Sequence, residues 1–254
     1  MKKGIISINF KFMELEPHEL LDLISKYASG IEIYIEQESQ LEISYFDKVL
    51  DLAPSYGLDV LIHGDSTLSL EAQKKYLEYL GTKTYRSLPL EFTLHPVYNP
   101  DKEESIRISK EYFSELRETA KNNNIRLSIE NLNDSDGMAR LKLNDVIKII
   151  KDFDDVGITY DIGHVIADGK EDLLSDAEPI KEKIVKLHIH TTKEEDHAPI
   201  YEGDKNIGRI AEAMDYFRNI ENKFVFEYNV YVCRGETLRE KVEDYLKTFS
   251  NFTW

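Results

Sequence analysis

The stretch IRLSIE at residues 125–130 carries the pattern that decides the fold class. Apolar and polar residues alternate along it, which is the two-residue period of a β-strand with unlike faces. One face carries Ile125, Leu127 and Ile129, and the other carries Arg126, Ser128 and Glu130. The same alternation recurs in EFTLH (91–95), VGITYD (156–161) and VKLHIH (185–190). The apolar faces suit a layer of covering helices, so the polar faces are predicted to point into a barrel.

Strands of this kind alternate with amphipathic stretches along the chain. We predict strands at 4–9, 30–36, 58–63, 90–95, 125–130, 156–161, 184–190 and 223–228. Helical patterns lie between them, with helix starts at Pro17 and Ser69 and a helix stop at Gly81. Eight such units without a Pro-, Gly- or Ser-rich linker predict an α/β fold, a single (β/α)8 TIM barrel that spans residues 1–254 as one domain. An open doubly wound sheet is the alternative, but its usual Gly-rich first turn is missing from SINFKFME (7–14).

Composition and charge narrow the class of protein. Of the 254 residues 41% are hydrophobic, and the net charge is −16. This acidic total disfavours a nucleic-acid partner, because surfaces that track phosphates need clustered Lys and Arg. The one cysteine, Cys233, excludes an internal disulfide framework. No signal-peptide core follows the basic start and no apolar run reaches the length of a membrane span, so we expect a cytoplasmic protein without a membrane partner. An oligomer remains open.

The polar faces converge on one group of side chains. The last inward residues of seven strands are acidic or histidine, namely Glu32, His63, His95, Glu130, Asp161, His188 and Glu227. Six of the seven histidines lie at or just after strand ends, at 63, 95, 164, 188, 190 and 197, whereas His18 is predicted on the surface of the first helix. A single histidine is more often a core or surface residue. The shared placement at the carboxyl ends of barrel strands, where active sites are built, predicts a divalent metal site for Zn, Mn, Fe or Co.

Some of these residues also have simpler interpretations. Asp161, three residues before His164, could only cap the next helix, and so could Asn131. Glu32 could belong to a strand with one solvated face. Glu227 ends the apolar run FVFE (224–227), where an unpaired buried carboxylate is costly and a cation removes that cost. Arg126 is predicted deep in the barrel, in a structural pair with Glu91 or a similar acid.

The ordered motifs resemble one known superfamily. They are GIEI (30–33), LIHGD (61–65), TLHP (93–96), SIEN (128–131), YDIGHVIADG (160–169), LHIHTTKEEDHAPI (187–200) and FVFEYN (224–229). Their order and spacing resemble the xylose isomerase-like TIM-barrel superfamily over nearly the whole chain. That superfamily contains sugar-phosphate isomerases and epimerases, ketose 3-epimerases and the apurinic endonucleases of the endonuclease IV family.

The resemblance implies a ligand set for the metal. One residue from each of strands five to eight forms the core site, here Glu130, Asp161, His188 and Glu227. The endonuclease IV pattern adds a second metal at His63, His95 and Glu130, and a third metal at His164 and His197. The third metal also takes an aspartate two residues before the last histidine, where this chain has Glu195, with Asp196 adjacent. We therefore expect one to three divalent ions.

The first functional hypothesis is a metal-dependent sugar or sugar-phosphate isomerase or epimerase, with a small-molecule sugar as its partner. The metal would stabilise an enediolate next to the substrate carbonyl. The resemblance suggests that Glu130 and Glu227 take and return the proton, while His164 or His188 polarises a hydroxyl. Other candidates for substrate contact are His190, Glu32 and Arg234, with Tyr34, Tyr98 and Tyr201 as candidates for the lining of a sugar pocket.

The alternative is an endonuclease IV-like metal-dependent phosphodiesterase that acts at abasic DNA sites. It is favoured by His63, His95, His164 and His197, which a single-metal epimerase does not require. It is disfavoured by the net charge and by the loop HGDSTLS (63–69), which has no aromatic wedge for a gap in the duplex. A degenerate barrel that serves only as a binding domain is a third hypothesis, which the inward carboxylates disfavour.

Overall fold

The strands form a closed parallel barrel. A computed structural model describes residues 4–35, 44–65, 68–85, 87, 89–134, 140–192, 197–218 and 223–252. The strands pair in chain order and the first pairs with the last, so the sheet has no free edge. They are β1 (Ile5–Ile8), β2 (Gly30–Ile35), β3 (Asp59–Gly64), β4 (Leu90–Leu94), β5 (Ile125–Glu130), β6 (Gly157–Asp161), β7 (Ile184–Ile189) and β8 (Lys223–Phe226). The prediction of a single (β/α)8 barrel is confirmed.

An α-helix follows each strand. The helices are α1 (Pro17–Ser25), α2 (Ser44–Leu52), α3 (Leu70–Gly81), α4 (Lys102–Asn122), α5 (Leu143–Ile150), α6 (Ile162–Ala167), α7 (Ile207–Phe217) and α8 (Leu238–Lys247). Pro17 is the first residue of α1, and the Ser69 hydroxyl caps α3 by accepting a hydrogen bond from the backbone N–H of Ala72 at 3.2 Å. α3 ends at Gly81, as predicted. Within the described residues, no helix combines the length and apolar character needed to cross a membrane.

The outward strand faces and the helices build the main hydrophobic core. Ile125, Leu127 and Ile129 of β5 are buried in the same cluster as Phe113 and Leu116 of α4. The alternation of side chains along β5 therefore separates the chain's apolar residues from the barrel interior, as the sequence pattern predicts.

The barrel interior below the mouth is apolar on one side. Ile5 of β1, Leu61 of β3 and Val225 of β8 form a small cluster that is separate from the main core. Leu61 and Val225 each lie two residues before a candidate site residue, His63 and Glu227 respectively. These side chains close the floor of the mouth without polar groups.

The other side of this floor consists of hydroxyl groups. The Thr93 hydroxyl oxygen lies 3.1 Å from that of Ser128 and 2.9 Å from that of Thr159. The hydroxyls of Ser128 and Thr159 are 2.8 Å apart. The three buried groups thus satisfy one another's hydrogen bonding and tie β4, β5 and β6 together. They lie two residues before His95, Glu130 and Asp161, and so support those side chains from below.

The prediction that Arg126 lies deep in the barrel and pairs with Glu91 is wrong. Arg126 is exposed, and the Glu91 carboxylate instead lies 3.3 Å from the Nζ of Lys223. Arg126 is the second residue of β5, so it stands near the amino-terminal opening of the barrel, where a long side chain reaches water. Strand parity gives the face of this residue but not its depth.

Gly30 of β2 packs closely against β3, and substituting it tests this close approach. A Cβ added at Gly30 would lie 2.7 Å from the backbone carbonyl oxygen of Asp59. We expect Gly30→Ala to lower the free energy of unfolding by about 1–3 kcal/mol, since the backbone must shift to admit the methyl group. Urea unfolding followed by circular dichroism measures the change.

The matched control is Gly208→Ala. Gly208 lies in α7, and an added Cβ there has no atom within 4 Å. Alanine should raise the stability of this helix by about 0.5–1 kcal/mol. Equal effects of the two substitutions would contradict the close approach of β2 and β3.

Candidate active site

A pocket of about 730 Å³ opens at the carboxyl ends of the strands. Glu130, Glu227, His95, His164 and His197, all predicted site residues, lie on its lining. Other lining residues include Ser7, Asn9, Lys11, Tyr34, Asp65, Tyr98, Arg140 and Asn229. Five predicted residues that are absent from the lining are buried, namely His63, Asp161, His188, His190 and Glu32.

The centre of the site is a group of two histidines and two glutamates. One potential ligand atom from each of His63, Glu130, His188 and Glu227 lies within 4.8 Å of the others. The Nδ1 of His188 is 2.7 Å from Glu227 Oε2 and 3.2 Å from Glu130 Oε2. His63 Nε2 lies 3.2 Å from the same Glu130 oxygen. Three of the four core ligands implied by the resemblance therefore meet here, with His63 as the fourth member.

His95 extends this group toward the pocket. Its Nε2 lies 3.0 Å from His63 Nε2 and 3.7 Å from Glu130 Oε2. The set implied for a second metal, His63, His95 and Glu130, is therefore also brought together by β3, β4 and β5.

Asp161 belongs to an adjoining group. One oxygen of Asp161 lies within 4.8 Å of candidate ligand atoms on Glu130 and His164. Asp161 also caps α6, because its Oδ1 accepts a hydrogen bond from the backbone N–H of His164 at 2.7 Å. The helix-capping interpretation and the metal-site interpretation of this residue are thus compatible.

Asn131 locks Asp161 in place. Its side-chain amide donates to the Asp161 carbonyl oxygen at 3.0 Å, and its Oδ1 accepts from the Asp161 backbone N–H at 2.9 Å. The suggestion that Asn131 caps the next helix is wrong, because both polar atoms of its side chain are used between β5 and β6. Nothing in the sequence separates this bridging amide from a capping one.

A third group consists of histidines alone. Ligand atoms of His164, His190 and His197 lie within 4.8 Å of one another, and the rings of His190 and His197 stack with centroids 4.3 Å apart. His190 Nε2 is 3.1 Å from Asp161 Oδ1. His190 was predicted to contact substrate, but its side chain is buried in this group and contributes nothing to the pocket lining.

His197 faces the pocket and not open solution. A bridge between Thr191 and Ala198 folds the loop back onto β7, with backbone hydrogen bonds of 3.0 and 2.8 Å. His197 adopts a left-handed backbone with φ of 54°, and its Nδ1 lies 3.2 Å from the Glu227 carbonyl oxygen. Glu195 and Asp196, the other candidates of this loop, lie outside the described residues.

Glu32 lies beneath the pocket and takes no part in its lining. In the β2–β3 register Glu32 pairs with Leu61, whereas Tyr34 pairs with His63. Its fully buried carboxylate forms an ion pair with the equally buried Lys186 and lies 2.9 Å from His188 Nε2. Contact with substrate, the predicted role of Glu32, would require an exposed carboxylate. Tyr34 is the residue of β2 that reaches the pocket.

Buried carboxylates and histidines determine one another's pKa values at the centre of the site. Burial alone would raise the pKa of Glu32, but Lys186 and His188 lower it to about 2. Burial likewise opposes ionisation of Glu130 and Glu227, yet His188 holds the pKa of both below the ordinary value. Burial depresses the pKa of His188, but Glu32, Glu130 and Glu227 together raise it well above its ordinary value. For His63 burial prevails and lowers the pKa to about 4. The carboxylates are thus ionised in a buried place.

The donor set fits a divalent cation. Both carboxylate oxygens of Glu130, Oε2 of Glu227, Nδ1 of His63 and both ring nitrogens of His188 are buried. They lie beside one another as ion-pair partners, but among the described residues none of them has a hydrogen bond of ordinary geometry. Buried polar atoms of this kind are costly unless they bind a partner. Mixed imidazole and carboxylate ligands suit Zn, Mn, Fe or Co. We therefore take the three groups as candidate metal-binding clusters.

The pocket lining carries two cations that the sequence analysis does not predict, Lys11 and Arg140. Arg234, the cation that it predicts for substrate contact, is not on the lining. Arg234 is exposed and stacks on the Tyr201 ring, 3.9 Å from its centroid, and neither residue is on the lining. The other two predicted tyrosines, Tyr34 and Tyr98, do line the pocket. A lysine two residues after the inward Asn9 at the end of β1 is the signal that could have revealed Lys11.

The family of the chain follows from a comparison with known protein families. The model of the xylose isomerase-like TIM barrel family matches residues 6–249. The chain belongs to this family. An uncharacterized protein of Methanocaldococcus jannaschii is 24% identical over 271 residues, which cover 96% of this chain and 90% of the relative.

Several proteins with solved structures share the whole fold at low identity. A 3-keto-D-glucoside 4-epimerase from E. coli superimposes with a TM-score of 0.72 and 15% identity, covering 98% of both chains. A D-tagatose 3-epimerase-like protein gives a TM-score of 0.69 and 18% identity, covering 98% of this chain and 97% of the other. These similarities support the barrel fold.

The buried pair of Lys186 and Glu32 yields a stability prediction. Lys186→Met leaves the Glu32 carboxylate buried without its ammonium partner, so the free energy of unfolding should fall by about 3–5 kcal/mol. The double variant Lys186→Met/Glu32→Gln should recover part of that loss because no buried charge is left unpaired. Urea unfolding of both variants measures this difference.

A surface ion pair provides the control. Lys74 and Glu115 are 3.0 Å apart and partly exposed, so Lys74→Met should change the stability by about 1 kcal/mol or less. If Lys186→Met lowered the free energy of unfolding no more than Lys74→Met does, the buried pair of Lys186 and Glu32 would not stabilise the fold as its geometry indicates.

Proposed function

We propose that this protein is a divalent-metal-dependent isomerase or epimerase of a sugar or sugar phosphate, which moves a proton on a carbon next to a carbonyl. The single observation that carries the proposal is the arrangement of Glu130 and Glu227. Both line the pocket, and both contact the same nitrogen of His188, at 3.2 and 2.7 Å. Two carboxylates aimed at one place can take a proton from a substrate carbon and return it.

The residues that would hold the metal are Glu130, Glu227 and His188, completed by His63 or by Asp161. When bound, the cation supplies positive charge that stabilises the negative charge of the enediolate oxygens. Glu130 is common to the central group and to the Asp161 group, which makes it the natural shared ligand. Asp161 is buried and anchored by Asn131, so it is held in a fixed position for this role.

Glu227 is the better candidate for proton transfer. Its side chain is 13% exposed, against 1% for Glu130, so it reaches further into the pocket. Its Oε2 lies beside His188 Nδ1, and burial of that contact keeps water from competing for the proton. We assign Glu227 as the main proton acceptor and Glu130 as its partner across the pocket floor.

His164 is oriented to contact a substrate hydroxyl. Its Nδ1 lies 2.8 Å from the Asn131 carbonyl oxygen, so in the neutral ring this nitrogen carries the proton. The Nε2 atom is then an acceptor, which can take a hydrogen bond from a hydroxyl or bind a cation. Its position on the pocket lining supports this role.

The structural relatives support the class of substrate. Two of them are named as an epimerase of a ketoglucoside and as similar to an epimerase of the ketose D-tagatose. The pocket, at about 730 Å³ with Tyr34 and Tyr98 on its wall, has the size and the aromatic character that suit a sugar.

The proposal predicts metal-dependent proton exchange. Protein incubated with D-tagatose, D-fructose or a 3-ketoglucoside in D2O should place deuterium on the carbon next to the carbonyl, as read by proton NMR. Glu227→Gln should slow this exchange by about 10²–10⁴-fold, because the amide cannot accept the proton. Removal of metal by a chelator should abolish the exchange, and added Mn²⁺ or Zn²⁺ should restore it.

The matched control is His18→Gln. His18 lies on α1, where its Nδ1 is 2.9 Å from the Tyr56 hydroxyl, and it is not on the pocket lining. This variant should exchange protons at the rate of the original protein. Failure of every ketose and every metal to give exchange would count against the proposal.

A second candidate is an endonuclease IV-like phosphodiesterase, and the three overlapping ligand groups favour it. His63 and His95 lie 3.0 Å apart beside Glu130, and His164, His190 and His197 form a further group, which together could hold more than one ion. The net charge of −16 opposes binding to DNA.

Metal analysis separates the two candidates. Protein purified without chelator should contain about one ion per chain for the epimerase, and two or three for the phosphodiesterase. We expect one ion and no incision of an abasic-site oligonucleotide. Incision that is lost in both His95→Gln and His197→Gln would reverse the order of the two candidates.

A further inference from the structure

Lys11 is a pocket cation whose contacts among the described residues are with neutral groups. It lies in the short turn Phe10–Phe12 after β1, where its backbone N–H donates to Asn9 Oδ1 at 3.0 Å. Its Nζ donates to Asn229 Oδ1 at 3.3 Å and lies 5.4 Å from the centroid of the Tyr231 ring. These contacts hold the ammonium at the seam between β1 and β8, on the lining of the pocket.

Lys11 has no carboxylate partner among the described residues, which is unusual in this chain. The chain has 48 acidic and 32 basic residues, and many of its lysines, such as Lys83 and Lys102, lie beside a carboxylate. Within the described ranges no carboxylate comes within ion-pair distance of Lys11. Lys11 is half-buried, and its described side-chain contacts are the Asn229 amide oxygen and the Tyr231 ring. Such an ammonium group is well suited to bind an anionic group of a ligand.

Asn229 supplies a second donor at the same place. Its Oδ1 accepts hydrogen bonds from Lys11 Nζ and from the backbone N–H of Tyr231 at 3.2 Å. Because both bonds need an acceptor, this atom is fixed as the oxygen, and the other terminal atom is the Nδ2 amide. That amide has no acceptor among the described residues, and Asn229 lies on the pocket lining.

We propose that Lys11 and Asn229 form an anion subsite, which binds a phosphate or carboxylate group of the sugar. The inference rests on the proposed function and narrows its substrate class to an anionic sugar. Asn229 follows Glu227 by two residues beyond the end of β8, so their Cα atoms are at most about 7 Å apart. We place the anionic group at the end of the sugar that meets this seam, and the carbon that loses its proton beside Glu227.

Arg140 is the competing cation of the pocket. It follows β5, which stands opposite β1 in the closed order of eight strands. Its backbone N–H donates to Asp134 Oδ1 at 3.2 Å, and no described residue holds its guanidinium. Lys11 is the better candidate for the anion subsite because its ammonium group is fixed beside a second donor, the Asn229 amide.

Titration calorimetry on the metal-loaded protein tests the subsite. The probes are D-fructose, D-fructose 6-phosphate and D-tagaturonate at constant ionic strength, so that phosphate and carboxylate are compared with a neutral sugar. We expect at least one anionic probe to bind with a dissociation constant about tenfold or more below that of D-fructose. Lys11→Gln should remove that gain and leave the affinity for D-fructose unchanged, and Lys11→Arg should keep most of it.

Lys181→Gln is the matched control. The Lys181 Nζ also lies 5.4 Å from an aromatic centroid, that of Tyr216, but in the turn Glu178–Lys183 before β7, at the other end of the barrel. This variant loses the same charge and should keep the full gain. Equal binding of neutral and anionic probes would overturn the subsite, and so would a gain that depends on Arg140 and not on Lys11.

Failure of the proposed function can be distinguished from failure of the anion subsite. If no sugar binds and no proton exchange occurs, inorganic phosphate is titrated and followed by phosphorus NMR. Saturable binding that Lys11→Gln abolishes and Lys181→Gln retains supports the anion subsite by itself. Absence of saturable phosphate binding in that case overturns it.

Discussion

The accumulation of negative charge inside a closed barrel is the constraint on which the rest of the structure depends. Glu32, Glu130, Asp161 and Glu227 are brought to one region by strands from around the whole barrel. In a low-dielectric interior such carboxylates repel one another strongly unless cations compensate them. Lys186 compensates the deepest one, and imidazoles surround the rest. The compensation is incomplete at Glu130 and Glu227, which is where an added cation gains most.

The chain tolerates this charge because the layer beneath it is fully satisfied. The hydroxyls of Thr93, Ser128 and Thr159 bond to one another, and Ile5, Leu61 and Val225 fill the opposite side. These hydroxyls and apolar side chains bring no charge to the carboxylates above them, and Lys186, at the level of Thr159, is paired with Glu32. The donors of the site therefore remain directed at the pocket and not at the scaffold, which is the arrangement that preorganised active sites need.

The alternation of apolar and polar residues along the strands predicts the fold and the residues at the centre of the site, because alternate side chains of a strand point to the same side of the sheet. IRLSIE gives Glu130 and VKLHIH gives His188 on this basis alone. Parity does not give depth, which the register between neighbouring strands sets. Glu32 and Tyr34 share a face of β2, yet only Tyr34 pairs with His63 at the level of the pocket. Arg126 fails for the same reason at the other end of β5.

Residues in loops were the least predictable, because their positions depend on contacts between segments far apart in sequence. Lys11 reaches the pocket through Asn229, which is 218 residues away along the chain. His197 does so through a bridge that folds its loop back on β7. The strands thus fix the groups suited to proton transfer and metal binding, while the loops fix the rim that the rest of a substrate meets. Under the proposed function, the carboxylates would then specify the kind of reaction, and the seam between β1 and β8 would specify which sugar undergoes it.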